Sequence, residues 1–256
     1  MHNSKIYYNK KMKPRNPILL VGLPGIGNVG SLVGEHLKSE LKAKKYATLY
    51  SPHFPHQVLM LKSGGIRLVS NRFYLWKNPA KGKDARDIIL LVGDFQAMSS
   101  EGQYELNEKI VKFFKKIGGK TIYTIGGYNT SNQYVQNPRV FAVTTDKKMI
   151  PALKSSKIIF GQASGMIWGS AGLLLAFAKK HKLTGVCIMG ETGMLEVDAH
   201  AAKAVLEALS KHLKMKLSLE NMEKISQETE KMVKSMEEAM KKEQQGPTKE
   251  NFTYIR

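Results

Sequence analysis

The chain contains 256 residues, enough for one large α/β domain or two small ones, with the 42% hydrophobic and 24% charged content of an ordinary globular protein. Its single cysteine, Cys187, excludes a disulfide framework and indicates a reducing, cytoplasmic environment. The formal net charge of +19 attracts nucleic acid without specificity, but the lysines are scattered and no RNP-like or zinc-finger motif occurs, so we expect no specific nucleic-acid partner.

Residues 1–15 are polar and basic, lack the apolar core of a signal peptide, and predict a flexible arm. Strand-like and helix-like segments then alternate along the chain. Short apolar runs predict strands at 17–22, 46–51, 87–94, 120–128, 139–146, 157–161 and 184–191. Apolar residues at helical spacing predict helices at 28–42, 101–117, 170–182 and 198–213. Two β-rich runs on either side of Gly64 and Gly65 predict a hairpin.

This alternation predicts an α/β domain over residues 16–216, with a largely parallel sheet covered by helices on both faces and the hairpin as an antiparallel addition. The longest nearly apolar run, 165–178, is shorter than the roughly 20 residues that span a bilayer, so we expect no membrane segment. A stripe of methionines at helical spacing predicts an amphipathic helix at 217–245. A Gly-Pro pair ends that helix, and residues 246–256 follow as a flexible tail.

Gly25, Gly27 and Gly30 form a G-x-G-x-x-G pattern between a predicted strand and a predicted helix, the context of a dinucleotide fingerprint. The acidic residue expected about 20 positions later is absent, because "LYSPHF" occupies that place. A structural role, in which the glycines let the helix pack closely on the strand, is therefore favoured over NAD binding. We expect neither a cofactor nor a metal.

Further glycine-rich turns lie at Gly165, Gly169 and Gly193. Because turns at the carboxyl ends of parallel strands form one rim of a sheet, where ligands commonly bind, these glycines are candidate rim residues. Asp94 and Glu191 each follow a predicted strand and could meet at this rim to act as an acid–base pair. The alternative is that both are turn or cap residues, and no catalytic residue is assigned.

The sequence ends in "NFTYIR", with Phe252, Tyr254 and Ile255 close together. Chain ends are usually polar, because ordering them costs entropy that few contacts repay. Three large apolar side chains at this place predict that the tail binds either its own domain or another protein.

Five segments, in chain order, resemble the signatures of the proteasome assembly chaperone family. They are "LLVGLPGIGNVG", "LLVGDFQ" followed by "EGQY", "IGGY", "FGQASGMIWGSAGLLL" and "GETGMLEVDAHAAKAVLEAL". The resemblance extends over about residues 15–215 and is to the archaeal homologues of the second assembly chaperone subunit. It implies a three-layer α/β/α sandwich related to nucleoside phosphorylases, without an established catalytic site. It also implies an ATP-independent chaperone that binds proteasome α subunits or the assembled α ring and commonly self-associates.

Some members of that family carry a C-terminal hydrophobic–Tyr–any-residue motif that inserts between α subunits, which implies a partner-binding role for Phe252, Tyr254, Ile255 and Arg256. Here the tyrosine is third from the end and not penultimate, which moves the carboxylate by roughly 3.3 Å along an extended chain. The tail could instead add a strand or plug to a sister subunit or a related chaperone. The competing hypothesis is an enzyme, a nucleoside- or phosphate-binding relative that works at the glycine rim.

Overall fold

The computed structural model describes residues 3–82, 85–130, 135–162, 165–193 and 195–228. The strands in these ranges are β1 (Lys5–Tyr8), β2 (Ile18–Gly22), β3 (Lys44–Tyr50), β4 (Val58–Met60), β5 (Ile66–Leu68), β6 (Asn71–Trp76), β7 (Ile88–Gly93), β8 (Thr121–Asn129), β9 (Val140–Thr144) and β10 (Thr184–Thr192). The α-helices are α1 (Val29–Glu40), α2 (Ser100–Lys116), α3 (Ile150–Lys154), α4 (Gly169–Lys180) and α5 (Ala199–Leu213). Short 3₁₀ turns precede α1 and α3.

The main sheet of the described residues has eight strands in the order β1-β3-β6-β7-β2-β8-β10-β9. The four central strands, β7, β2, β8 and β10, run parallel to one another. Strands β6 and β9 flank them antiparallel, and β3 and β1 extend the β6 side, again antiparallel to their neighbours. Five of the eight strands therefore point in one direction (β3, β7, β2, β8 and β10). The expectation of a mostly parallel sheet is confirmed.

Helices cover both faces of this sheet. Helices α1 and α5 pack on one face, where their apolar stripes meet one set of alternating strand residues. Helices α2 and α4 pack on the other face against the alternate set of strand residues, where Phe113 and Phe114 of α2 meet Phe73 of β6. Strands β2 and β7 are buried on both sides, which explains their nearly continuous apolar sequences. The predicted three-layer α/β/α sandwich is confirmed.

The two edges of the sheet differ in composition. Helices α2 and α4 end at the amino edge, each with a pair of lysines in its last turn, which favourably oppose the negative end of the helix dipole. The loops at the carboxyl edge instead carry the glycine-rich turns and the β4–β5 hairpin. None of the helices in the described ranges has both the length and the apolar character needed to cross a bilayer.

Residues 5–8 lie within the predicted flexible arm but form β1, which pairs antiparallel with β3. The Tyr8 ring contacts the Phe113 ring with centroids 5.2 Å apart, and Ser4 is buried within hydrogen-bonding distance of Glu105. These contacts to α2 compensate for the entropy of ordering the segment. The prediction that residues 1–15 form a flexible arm is therefore wrong for residues 5–8, which form β1.

Two further details differ from the sequence prediction. The apolar run at 157–161 does not form a ladder strand, because it makes only a bridge between Phe141 and Ile159. The short helix α3, which the sequence pattern did not predict, precedes it and buries Leu153. The predicted hairpin is confirmed as β4 and β5, and β6 is a separate strand of the main sheet.

After α5 the chain reverses, and residues 220–228 are helical. Ser218 O lies 2.9 Å from His36 Nε2 near the end of α1, whereas Ser226 O lies 3.1 Å from His200 Nε2 at the start of α5. The segment therefore runs antiparallel to α5 and returns the chain to the carboxyl edge of the sheet. Met222 is buried on α1 and α5. The rest of the predicted 217–245 helix and the 246–256 tail lie outside the described residues.

The contact between α1 and the sheet generates a prediction about stability. A Cβ atom at Gly30 would lie 2.5 Å from the Leu23 carbonyl oxygen and 2.7 Å from the Ile125 carbonyl oxygen, and neither backbone oxygen can move aside cheaply. We expect Gly30→Ala to lower the free energy of unfolding by about 2–3 kcal/mol through overpacking.

The matched control is Gly126→Ala, because a Cβ at Gly126 meets nothing within 4 Å. Its free energy of unfolding should stay within about 0.5 kcal/mol of the wild-type value. Urea denaturation of the two variants measures the difference through the unfolding midpoint. Equal midpoints would show that α1 does not depend on this close approach.

Candidate functional site

A cleft of about 470 Å³ opens at the carboxyl edge of the sheet, above β2, β8 and β10. We call it the edge cleft. The loop after β2 lines one side, the ends of β8 and β10 form its base, and residues 165–171 at the start of α4 line the other side. Its walls are mainly apolar, with Leu23, Ile125, Ile167 and Met189 among them. None of the described residues that line it is Asp, Glu, Lys, Arg or His.

The predicted rim glycines occupy different places around this cleft. Gly25, Gly165 and Gly169 line it directly. Gly27 lies in the 3₁₀ turn before α1 with φ of 59°, and a Cβ atom there would lie 2.7 Å from Thr192 Oγ1. Gly193 is buried after the end of β10. Together with the close contact at Gly30, this arrangement favours the structural interpretation of the glycine motif.

Gln96 joins the two sides of the edge cleft. Its Nε2 atom donates to the Pro24 carbonyl oxygen at 2.6 Å, and its Oε1 atom accepts from the Ser170 amide at 2.8 Å. Gln103 Nε2 in α2 donates to the Ala97 carbonyl oxygen at 2.7 Å, which supports the same loop. These side-chain amides fix the positions of the loops around the cleft, but they are neither acids nor bases. Sequence reasoning did not single out Gln96, although it lies in the quoted "LLVGDFQ" segment.

Asp94 lies after β7 and binds the base of the hairpin. Arg67 of β5 donates to both carboxylate oxygens, at 2.5 and 2.8 Å, and Arg72 donates to Oδ1 at 3.0 Å. The Ser70 amide also donates to Oδ2 at 3.0 Å. Burial alone would raise the pKa of Asp94, but these hydrogen bonds and the two guanidinium charges outweigh it and hold the pKa below its ordinary value. This carboxylate is a structural anchor.

Glu191, at the end of β10, is bound in the same way by Arg139. The guanidinium donates at 2.8 and 2.7 Å, and the Arg139 amide adds a bond at 3.1 Å. Hydrogen bonding to Arg139 lowers the pKa of Glu191 despite its burial. Two strands separate β7 from β10, so Asp94 and Glu191 lie on strands roughly 14 Å apart. The expectation that they meet as an acid–base pair is wrong.

The β4–β5 hairpin exposes an apolar surface. Val58 pairs with Leu68 and Met60 pairs with Ile66 across the two strands, and these four side chains share one face. They are 48%, 57%, 89% and 69% exposed, respectively. We call them the apolar hairpin face. Arg67 lies on the opposite face, where its bonds to Asp94 tie the hairpin to the main sheet.

Neither a reactive cysteine nor a cluster of metal-binding side chains adds chemistry to the described part of the site. Burial raises the pKa of Cys187 to about 11, which leaves its thiol protonated and unreactive at neutral pH. Within the described ranges no group of three or more His, Cys, Asp or Glu side chains is placed to hold a metal ion. Phe252, Tyr254, Ile255 and Arg256 lie outside those ranges, so their predicted role stays a prediction.

The chain matches the family model described as "PAC2 family" over residues 19–239. Its fold is similar to that of Pyrococcus furiosus PbaB, described as an archaeal proteasome activator, with 38% identity, a TM-score of 0.86, and 93% of this chain and 100% of that chain covered. Pyrococcus furiosus PbaA, described as an archaeal homolog of proteasome-assembly chaperone, shares the fold at 23% identity, with a TM-score of 0.74 and 95% of each chain covered. An uncharacterized Methanocaldococcus jannaschii protein, MJ1210, is 37% identical over 96% of this chain and 95% of its own length.

The Asp94 anchor generates a prediction that depends on pH. Asp94→Asn keeps the shape of the side chain but removes the charge that pairs with Arg67 and Arg72, so we expect a loss of about 1–2 kcal/mol in the free energy of unfolding at pH 7. Because the folded pKa is lowered, the wild-type contribution is complete above about pH 5 and is lost as the pH falls through the folded pKa. The difference between wild type and variant should therefore shrink at pH 3.

Urea midpoints at pH 7, 5 and 3 measure this convergence. The control is Glu35→Gln, which breaks a solvent-exposed ion pair with Lys38 on α1 and should cost less than about 0.5 kcal/mol. A pH-independent difference for Asp94→Asn would contradict the assignment of this carboxylate as a charged anchor.

Proposed function

The chain belongs to the PAC2 family, and from that premise we propose that it is a proteasome assembly chaperone that binds proteasome α subunits or the assembled α ring. In this proposal the protein acts through contact surfaces, without ATP and without catalysing a reaction, in the reducing cytoplasm that its composition favours. The observation that carries the proposal is the apolar hairpin face at the carboxyl edge of the sheet.

An exposed apolar face of this kind is costly unless a partner covers it, and such patches commonly mark protein-binding surfaces. The hairpin presents it in a defined orientation, because the cross-strand pairs fix its side chains and Arg67 anchors it through Asp94. A pre-organised surface loses little entropy on binding. Met60 and Ile66, which are the most exposed of the four residues, are the natural centre of the contact.

The enzyme hypothesis finds less support in the geometry. A phosphate or nucleotide is bound by cationic side chains, by a metal or by free amides at a helix N-terminus. The described lining of the edge cleft carries no charged group, and the Ser170 amide at the start of α4 already donates to Gln96 Oε1. Asp94 and Glu191 are each held by arginines outside that lining. The groups that an acid–base mechanism would use are therefore engaged in holding the fold.

The tail contributes a second contact in this proposal. Phe252, Tyr254 and Ile255 would fill a pocket on the partner, and Arg256 would place its carboxylate beside a cationic side chain there. Each tail alone would bind weakly. Self-association would present several tails to one ring and increase the overall affinity by up to about 10²–10⁴-fold through effective concentration. A related assembly chaperone is a further partner that the same surfaces could bind.

Activation of the assembled proteasome is a second candidate function. The observation that favours it is the 38% identity to a protein described as an archaeal proteasome activator. A chaperone acts on free subunits and increases the yield of particles, whereas an activator acts on finished particles and increases their hydrolysis of peptides. Both functions require contact with the proteasome, so they share the hairpin and tail surfaces.

The hairpin contact can be tested by the double substitution Met60→Glu and Ile66→Glu. Burying two carboxylates against an apolar partner surface should weaken the complex with purified α subunits by at least about 30-fold, roughly 2 kcal/mol. Titration followed by native mass spectrometry measures the dissociation constant. Lys179→Glu at the amino edge changes the net charge by the same amount and should leave binding unchanged. Equal weakening by both variants would indicate bulk electrostatics and not the hairpin.

The tail can be tested by deleting residues 246–256. If several tails bind one ring, the deletion should weaken binding to the assembled α ring at least tenfold and binding to a single α subunit much less. Hydrolysis of peptides by finished proteasomes, measured with the full-length protein and with the truncated protein, separates activation from assembly. Stimulation by the full chain supports activation, and stimulation of particle assembly alone supports the chaperone. Unchanged ring binding after the deletion would remove the tail from the mechanism.

A further inference from the structure

We propose that the edge cleft is a peptide-binding site and that its occupant is the apolar segment 252–255 of the same chain. This docking takes place in the absence of any proteasome subunit, whether or not the tail later binds such a partner. It therefore adds an intramolecular site to the surfaces already described.

The first support is the chemistry of the cleft. Its described lining is uncharged in a protein of net charge +19, which disfavours ionic ligands and favours a neutral one. Its volume lies within the range of about 300–1,000 Å³ that is typical of ligand pockets. Met166 and Trp168 stand at its mouth, 79% and 74% exposed, and present apolar side chains that an aromatic residue can contact.

The second support is the end of β8 beside the cleft, beyond the last residue that pairs with β2. Strand β2 pairs with β8 only as far as Val21 opposite Thr124, whereas β10 pairs with β8 as far as Thr192 opposite Asn129. Residues 125–128 of β8 thus have no strand partner on their β2 side among the described residues, and they line the cleft. The first turn of α1 and the turn before it pack close to Ile125 and Gly127, respectively, so Gly126 is the open position of this segment. An extended peptide can add to such a segment through main-chain hydrogen bonds while its alternate side chains enter a pocket.

Gly126 leaves space for the incoming peptide. A Cβ atom at this position would meet nothing within 4 Å, so the strand here offers open room above its backbone. A glycine within a strand often marks the place where another backbone or a ligand approaches closely.

The third support is the position and composition of the remaining chain. The described part of the chain ends at residue 228 on the carboxyl edge, the same edge as the cleft. Residues 229–245 belong to the predicted helix and would span about 25 Å at 1.5 Å per residue, and residues 246–251 add up to roughly 20 Å when extended. Residues 252–255, Phe-Thr-Tyr-Ile, are uncharged and match the cleft, while Arg256 can remain in solvent. A tethered segment experiences a millimolar effective concentration, which makes even weak docking significant.

Docking of this kind would hold the apolar end of the chain in its own pocket until a partner competes for it. The partner would then select chains whose tails are released, and binding would be weaker than the intrinsic affinity by the fraction of released tails.

The experiment places benzoylphenylalanine at position 254 in the full-length protein and maps the crosslinks formed on irradiation by mass spectrometry. An equal mixture of normal and heavy-isotope chains separates crosslinks within a chain from those between chains. Crosslinks within one chain to residues 125–128 or 166–171 are the expected result. Crosslinks elsewhere, crosslinks only between chains, or the absence of crosslinks would overturn the proposal.

A cleft-filling substitution provides the control. Gly126→Phe should place its ring in the cleft and reduce the crosslink yield at least tenfold, whereas Lys179→Phe adds the same ring at the opposite edge and should leave the yield unchanged. Circular dichroism checks that both variants are folded. If Gly126→Phe does not fold, excess ENFTYIR peptide added to the wild-type chain should reduce the yield, and a scrambled peptide should not. A crosslink yield that changes with neither Gly126→Phe nor the added ENFTYIR peptide would refute the site.

Discussion

Burial of the four central parallel strands on both faces is the constraint on which the rest of the structure depends. Strands β7, β2, β8 and β10 can lie side by side only if helices cover both faces, so the side chains of β2 and β7 are apolar almost throughout. Such a sheet leaves little place for polar chemistry in its interior. The loops at the carboxyl ends of these strands are therefore where this fold can differ from its relatives.

At that edge two largely buried carboxylates hold the scaffold, and the described lining of the cleft and the apolar hairpin face are without charge. Asp94 and Glu191 are saturated by arginines and backbone amides, while the cleft and hairpin present neutral, apolar surfaces. An active site shows the opposite arrangement, with underused titratable groups directed into a pocket. This distribution of charge supports the proposed role in protein recognition.

The predictable part of the fold was the part that local patterns encode. The continuous apolar run of β2 and the helical spacing of α2 both matched the structure. Strand β1 was missed because an edge strand with half-exposed side chains has the composition of a polar arm. The separation of Asp94 from Glu191 depends on strand order, which short-range spacing does not specify. The two β-rich runs around Gly64 and Gly65 likewise predicted the hairpin, but they did not predict that its apolar face would remain exposed.

The lysine pairs that end α2 and α4 give the molecule two unlike poles. These lysines lie at the amino edge, whereas exposed apolar side chains such as Met60, Ile66 and Trp168 lie at the carboxyl edge. If a partner binds the apolar carboxyl edge, the lysines of the amino edge face outward. The lysines of neighbouring copies then repel one another over about 8–10 Å at physiological ionic strength. Crowding around a shared target would then be limited by charge as well as by shape. The spacing of copies in such a complex should consequently widen in dilute salt and tighten in concentrated salt.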